Sequence, residues 1–254
     1  MDALALVIVA VWSFIVSFAG GMVGMVLGNL RLPVLVFFGS SPAAAGGANV
    51  AISGAAALSS TAAHVQGDRV NWRLFRWMAP TSLLGAIAGG LIAGILPSRI
   101  LLAAIAVVIM YGAFEILRYG RRDTTVPAPT SSRARAIFTA AGVGFGVGVL
   151  GGFVGLILGT LRLPAMMKYL GVNPYEGVGT NAAVGAVVGI GGLLGHLPSG
   201  VDWDLLAVGA AGAIPAAYLG ARYTGKLEER TLLRAIAAVL VVSSLSMATR
   251  AALG

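Results

Sequence analysis

Residues 20–36 read GGMVGMVLGNLRLPVLV, and residues 151–167 read GGFVGLILGTLRLPAMM. Ten of these seventeen positions are identical, without a gap. Glycine alone could match by composition, since the chain holds 37 of them, but a shared Leu-Arg-Leu-Pro cannot. The register continues past a one-residue insertion, with GSSPAAAGGANVA at 39–51 answering GVNPYEGVGTNAA at 171–183. His64 then falls opposite His196, and Trp72 opposite Trp203. LPSRILLAAIAVV at 96–108 answers LEERTLLRAIAAV at 227–239. The chain reads as two tandem copies of one unit, residues 1–118 and 136–254. They are joined by a hydrophilic linker at 119–135, YGRRDTTVPAPTSSRAR. Internal duplication of this kind is frequent in secondary transporters, whose site lies where the repeats meet.

Composition places the unit in a membrane. Apolar residues make up 58% of the chain and charged residues only 10%, against about 25% in soluble domains. Mean hydropathy is +0.92. Apolar blocks lie near 3–28, 42–63, 77–96, 100–118, 136–160, 177–197, 205–221 and 231–249. Most approach the roughly 20 residues that a spanning helix needs. They lack the polar–apolar alternation of barrel strands. The expected fold is an all-α integral membrane protein of about 8–10 membrane segments, with Gly/Pro-broken helices at its centre. The N-terminal MDALALVIVAVWSFIV has no basic leader and no clear cleavage site, and reads as a retained membrane segment. The net charge of +8 sits in short clusters between apolar runs, the pattern of cytoplasmic loops rather than of a nucleic-acid surface. There is no cysteine, which excludes disulfides and thiolate metal sites, and two histidines alone make no metal centre. No cofactor is expected.

Charge also bears on orientation. Arg69, Arg73 and Arg76 precede the third and fourth apolar blocks, and Arg118, Arg121, Arg122, Arg133 and Arg135 surround the linker. Both clusters should be cytoplasmic. In the second half the loop matching 66–76 carries Asp202 and Asp204, while bases gather at Arg222, Lys226, Arg230 and Arg234. This exchange of sign favours halves of opposite topology and an odd number of crossings in each. The stretch 3–39 would then cross twice, or cross once and re-enter.

The polar residues that could carry function are duplicated with the repeat. Gly28 to Pro33 (GNLRLP) and Gly159 to Pro164 (GTLRLP) each follow a glycine-rich run. Glycine weakens a helix by about 1 kcal/mol per site, and proline removes a backbone donor, so the backbone is expected to unwind at 28–33 and 159–164. Unwound backbone at membrane depth must be buried in protein or line a cavity, and helices broken there aim free N–H groups at anions. Arg31 and Arg162 sit in these breaks, with no carboxylate nearby in sequence. A guanidinium presents a planar fork that suits paired oxygens. The competing reading has both arginines snorkelling to the membrane surface. Asn49 and Asn181, preceded by Gly47 and Gly179, could bind a ligand or join helices, and Thr180 sits beside the second. Asn29 and Thr160 occupy matching positions. His64 and His196 read as residues at loop ends, Glu115 and Glu176 as interfacial, and Trp12, Trp72, Trp77 and Trp203 as interface anchors. Ser53, Ser59, Ser60 and Thr61 read as helix-packing residues. No nucleophile–base pair or metal cluster points to an enzyme.

The segment GGMVGMVLGNLRLPVLVFFGSSPAAAGGANVA, with its second copy GGFVGLILGTLRLPAMMKYLGVNPYEGVGTNAA, resembles the sulfite exporter TauE/SafE family. The paired halves around a hydrophilic linker extend that resemblance over the whole chain. It implies a multi-pass carrier in the bacterial inner membrane, with sulfite, a sulfonate or another small organic anion as substrate. The resulting expectation is a secondary transporter of a small anion, bound between the repeats by Arg31, Arg162, Asn49, Asn181, Asn29, Thr160, Thr180, Gly28 and Gly159. Its partners are that anion, the lipid bilayer and a coupling proton or ion, without nucleic acid; a homodimer stays open. The alternatives are an anion channel, a carrier for a small carboxylate, and a membrane assembly subunit that transports nothing.

Overall fold

The structure, a computed structural model, describes residues 3–23, 26–119, 133–172, 174–223 and, towards the end of the chain, 241–242, 244–245 and 247–253. All regular structure among the described residues is helical. The first half contributes α1 (Ala3–Val23), α2 (Gly28–Phe38), α3 (Pro42–Gln66), α4 (Trp72–Ile95) and α5 (Ser98–Tyr119). The second contributes α6 (Arg133–Val154), α7 (Gly159–Leu170), α8 (Pro174–His196) and α9 (Trp203–Arg222), with a 3₁₀ turn at Leu197–Ser199. Seven of the eight apolar blocks fall on helices. The eighth, 231–249, lies largely outside the described residues, as does most of the linker. Among the described residues five helices are long and apolar enough to cross a membrane: α1, α4, α6, α8 and α9. Their outward faces carry Leu4, Val7, Val11, Leu84, Phe138 and Ile190, all exposed. Polar side chains such as Asn49, Ser53, Thr180 and Asn181 are buried instead. This reverses the arrangement of a soluble protein and marks a multi-pass membrane protein.

The breaks lie one turn earlier than expected. α1 ends at Val23 and α6 at Val154, and helix resumes at Gly28 and Gly159. GNLRLP and GTLRLP therefore open new helices, and Arg31 and Arg162 sit in their first turns. The physical reason is visible at Gly155, whose φ of +69° ends α6. That left-handed conformation costs a side-chain-bearing residue about 1–2 kcal/mol. Pro33 is tolerated inside α2 because buried helices at membrane depth find other partners for the carbonyl that a proline frees.

The interhelical contacts come in matched sets. α1 packs along α9, α4 along α6, and α3 crosses α8 at the centre. Gly89 of α4 lies against the Val149 carbonyl of α6, and Gly220 of α9 against the Phe18 carbonyl of α1. Gly152 faces the Ala86 carbonyl as Gly21 faces that of Ala217. In each set the residues correspond under the register of the repeat. Gly54 and Gly189 make the closest backbone approach of α3 to α8.

The helix ends fix relative sidedness. Asp202, which caps the start of α9, accepts from the Ser40 N–H and from its hydroxyl (2.7 Å), beside the start of α3. Asn71, in the loop after α3, donates its N–H to Thr180 Oγ1 (2.9 Å) near the start of α8. The loops 67–71 and 197–202 thus lie at opposite ends of α3. Ala10 of α1 meets Gly212, and Phe18 meets Gly220, so α1 runs parallel to α9. α1 and α9 both set out from the end of the bundle where α2 finishes.

Candidate functional site

Each short helix starts against a long one because a glycine leaves room. A Cβ at Gly28 would strike Ser53 Oγ of α3, and one at Gly159 would come within 2.5 Å of Asn181 Nδ2 of α8. Leu27 and Leu158, at the N-cap positions, are buried and give no side-chain cap. The positive ends of both helix dipoles are thus left in the protein interior, an arrangement that favours negative charge.

One turn further on come the arginines. Arg31 is 1% exposed and Arg162 is fully buried, so neither lies on the protein surface. Arg31 donates from Nη1 to Ser53 Oγ (3.2 Å) and from Nη2 to Ser17 Oγ (2.7 Å). Arg162 donates from Nη1 to Asn181 Oδ1 (3.2 Å). Its Nε and Nη2 have no partner among the described residues, nor does Nδ2 of Asn181. Among the described residues the partners of both guanidinium groups are hydroxyls and an amide, and none is a carboxylate. A buried cation costs several kcal/mol unless its charge is met.

A cavity of about 20 Å³ lies between the halves, lined by Ser17, Leu27, Ser60 and His64 of the first and Asn181 and Ala217 of the second. It therefore touches one hydrogen-bond partner of each arginine. A single water requires about 10–15 Å³, so this space holds little more than a water.

The other sequence candidates separate. Asn49 donates from Nδ2 to the Gly155 carbonyl (2.8 Å), tying α3 to the break in the second half. Thr180 accepts from the Asn71 backbone, a contact at the end of a helix. Asn29 is buried with Oδ1 unpartnered among the described residues. The Thr160 side chain and that of Glu115 lie outside the described residues. Four expectations are corrected. His64 and His196 terminate their helices yet are 2% and 1% exposed, because the other half covers those ends. Trp12 faces inward and donates to the Leu30 carbonyl (3.0 Å), whereas Trp72, Trp77 and Trp203 are exposed. Ser53 is a partner of Arg31 rather than only a packing residue. Ser17 drew no attention in sequence. The available signal was a difference between the copies: under the repeat register Ser17 matches Gly148, and Ser53 matches Gly185.

Residues 9–247, which include both breaks and every residue of this site, match the sulfite exporter TauE/SafE family. The chain belongs to that family. TauE/SafE proteins are membrane transporters. Across 264 residues this TauE/SafE chain is 25% identical to the probable membrane transporter protein YunE of Bacillus subtilis (strain 168), an alignment that covers 94% of this chain and 96% of that one. It is 26% identical over 249 residues to the probable membrane transporter protein y4hK of Sinorhizobium fredii (strain NBRC 101917 / NGR234), again covering 94% and 96%. No solved structure matches it.

Proposed function

We propose that this TauE/SafE protein is a secondary transporter of a small sulfur oxyanion, sulfite or an organosulfonate, in the bacterial inner membrane. The anion binds between two inverted copies of one unit, 1–118 and 136–254, joined by a cytoplasmic linker at 119–135. The observation that carries the reading is the pair of buried arginines, Arg31 and Arg162, whose hydrogen-bond partners among the described residues include no carboxylate. The inward N-termini of α2 and α7 add to it. Family membership supports transport over catalysis. The matched contacts across the halves, and the loops 67–71 and 197–202 at opposite ends of α3, support inversion. The small cavity suits a carrier that exposes its site alternately to each side, whereas a channel needs a continuous path.

Purified full-chain protein in liposomes tests the function. Sulfite and methanesulfonate uptake should saturate, and internal sulfite should drive counter-flow of the external anion, with and without an imposed proton gradient. Matched ammonium compounds should not move. Uptake that never saturates and shows no counter-flow would make the protein a channel. Preference for acetate or lactate would transfer the reading to carboxylates.

The topology has its own test. Single cysteines placed at 67–71 and at 198–201, in a chain that has none, should react with an impermeant thiol reagent from opposite sides of the membrane, the former from the cytoplasm. Labelling from one side only would end the inverted reading.

A further inference from the structure

We infer that the two arginines are unequal: Arg162 grips two oxygens of the anion and Asn181 a third, while Arg31 is a positioning residue held by two serines. This rests on the transporter reading and goes beyond it by dividing the labour within the site.

The repeat gives each half the same arginine, one turn into the same short helix, against the same asparagine-bearing long helix. The surroundings then diverge. In the first half Ser17 and Ser53 accept from both terminal nitrogens of Arg31. Only Nε is left without a partner among the described residues. In the second half the matching positions are Gly148 and Gly185, which carry no acceptor. Arg162 therefore keeps Nε–H and Nη2–H unpaired. These two groups form one edge of the guanidinium, with parallel donors spaced for two oxygens on one atom. In Arg31 the same edge is interrupted by the bond from Nη2 to Ser17.

Asn181 completes the contrast. Its Oδ1 is taken by Arg162, which fixes the direction of the amide, so Nδ2 points away as a third unpaired donor. In the first half Asn49 spends its Nδ2 on the Gly155 carbonyl. Among the described residues the groups left unpaired around Arg162 are thus all donors. It fits a deprotonated oxyanion, with two oxygens on the guanidinium edge and a third on the Asn181 amide. Sulfite and sulfonates have three such oxygens. Chloride is a single centre that gives the fork and the amide no separate oxygens, and a neutral acid would set its own hydrogen against a donor.

Isothermal titration of methanesulfonate and of sulfite into the detergent-purified full chain tests the division, with chloride at equal ionic strength as control. Arg162→Lys should lose at least about tenfold in affinity, since a lysine is a point charge without the fork. Arg31→Lys should stay within about threefold, its ammonium still reaching a serine hydroxyl. Gly185→Ser should also lose about tenfold, because it supplies Arg162 with the acceptor that Ser53 gives Arg31. The added Cβ would lie 3.2 Å from Ile157 Cγ2, so that side chain must give by a few tenths of an ångström, and a monodisperse variant is the condition for using it. If Arg162→Lys is not monodisperse, Gly185→Ser decides. If Arg31→Lys is not, Ser17→Ala replaces it and should keep affinity within about threefold. Equal losses at both arginines would mean a joint clamp and overturn the division, as would a larger loss at Arg31. Wild-type protein that binds neither oxyanion would defeat the transporter reading itself, and this inference with it.

Discussion

Replacing Gly155 by alanine is expected to destabilise the protein by about 3–5 kcal/mol, near the top of the range for single substitutions. Gly155 sits at φ +69°, which costs alanine about 1–2 kcal/mol. Its new Cβ would run into the Gly46 backbone of α3, with that carbonyl oxygen at 2.6 Å and its carbon at 2.7 Å. Backbone in the second turn of a long, packed helix cannot step aside. The break between α6 and α7 would have to lift away from α3, and the bond from Asn49 to the Gly155 carbonyl would break with it. Gly142→Ala is the control: it lies in α6, the helix that Gly155 ends, and none of the described residues stands within 4 Å of its added Cβ. It should be neutral or slightly stabilising, since alanine favours helix over glycine by about 1 kcal/mol. Unfolding in a graded detergent mixture, followed by tryptophan fluorescence, measures both. Equal stability of the two variants would mean that the break does not depend on this contact.

The same residue shows what sequence could and could not say. That the helix would break near the LRLP motifs was legible, because glycine density lowers helix stability and proline restricts its neighbours. Where it would break was not, since glycines at 151, 152, 155 and 159 are alike in sequence. The choice falls on 155 because that backbone meets Gly46, a residue more than a hundred positions away. Depth was hidden for a similar reason. Arg31 and Arg162 stand a few residues from a loop in the chain, and only the packing of α3 and α8 over the short helices removes them from the surface. His64 and His196 were misjudged in the same way, as a helix end is exposed only if no other element covers it. The pairing of Arg31 with Ser17 and Ser53 is a long-range contact, yet its trace was present. A repeat draws the eye to identities such as Leu-Arg-Leu-Pro, while the surroundings of the two arginines differ at two positions where serine in one half is matched by glycine in the other.

Gly89→Ala and Gly220→Ala should each cost about 2–4 kcal/mol, and by amounts that agree within about 1 kcal/mol. In both cases the added methyl would enter the carbonyl of a facing helix, Val149 for the first and Phe18 for the second. Helices in lipid gain nothing from hydrophobic exclusion against one another, so close backbone approach through small residues is a main source of their association. Forcing either pair apart forfeits dispersion contacts along its length. The two sites lie on separate helix pairs, α4 with α6 and α9 with α1, and share no partner residue. The double variant should therefore be additive within about 0.5 kcal/mol. Gly112→Ala serves as control, since among the described residues its Cβ would meet only Asn29 Nδ2, at an ordinary 3.6 Å. The comparison also probes the repeat. If the halves are two copies of one unit, each of these pairs joins a helix of one copy to a helix of the other by the same contact, and equal costs follow from equal geometry. A severe loss at one glycine with a neutral outcome at the other would mean that the copies pack differently, and the symmetry read from their shared motif would stop at the sequence.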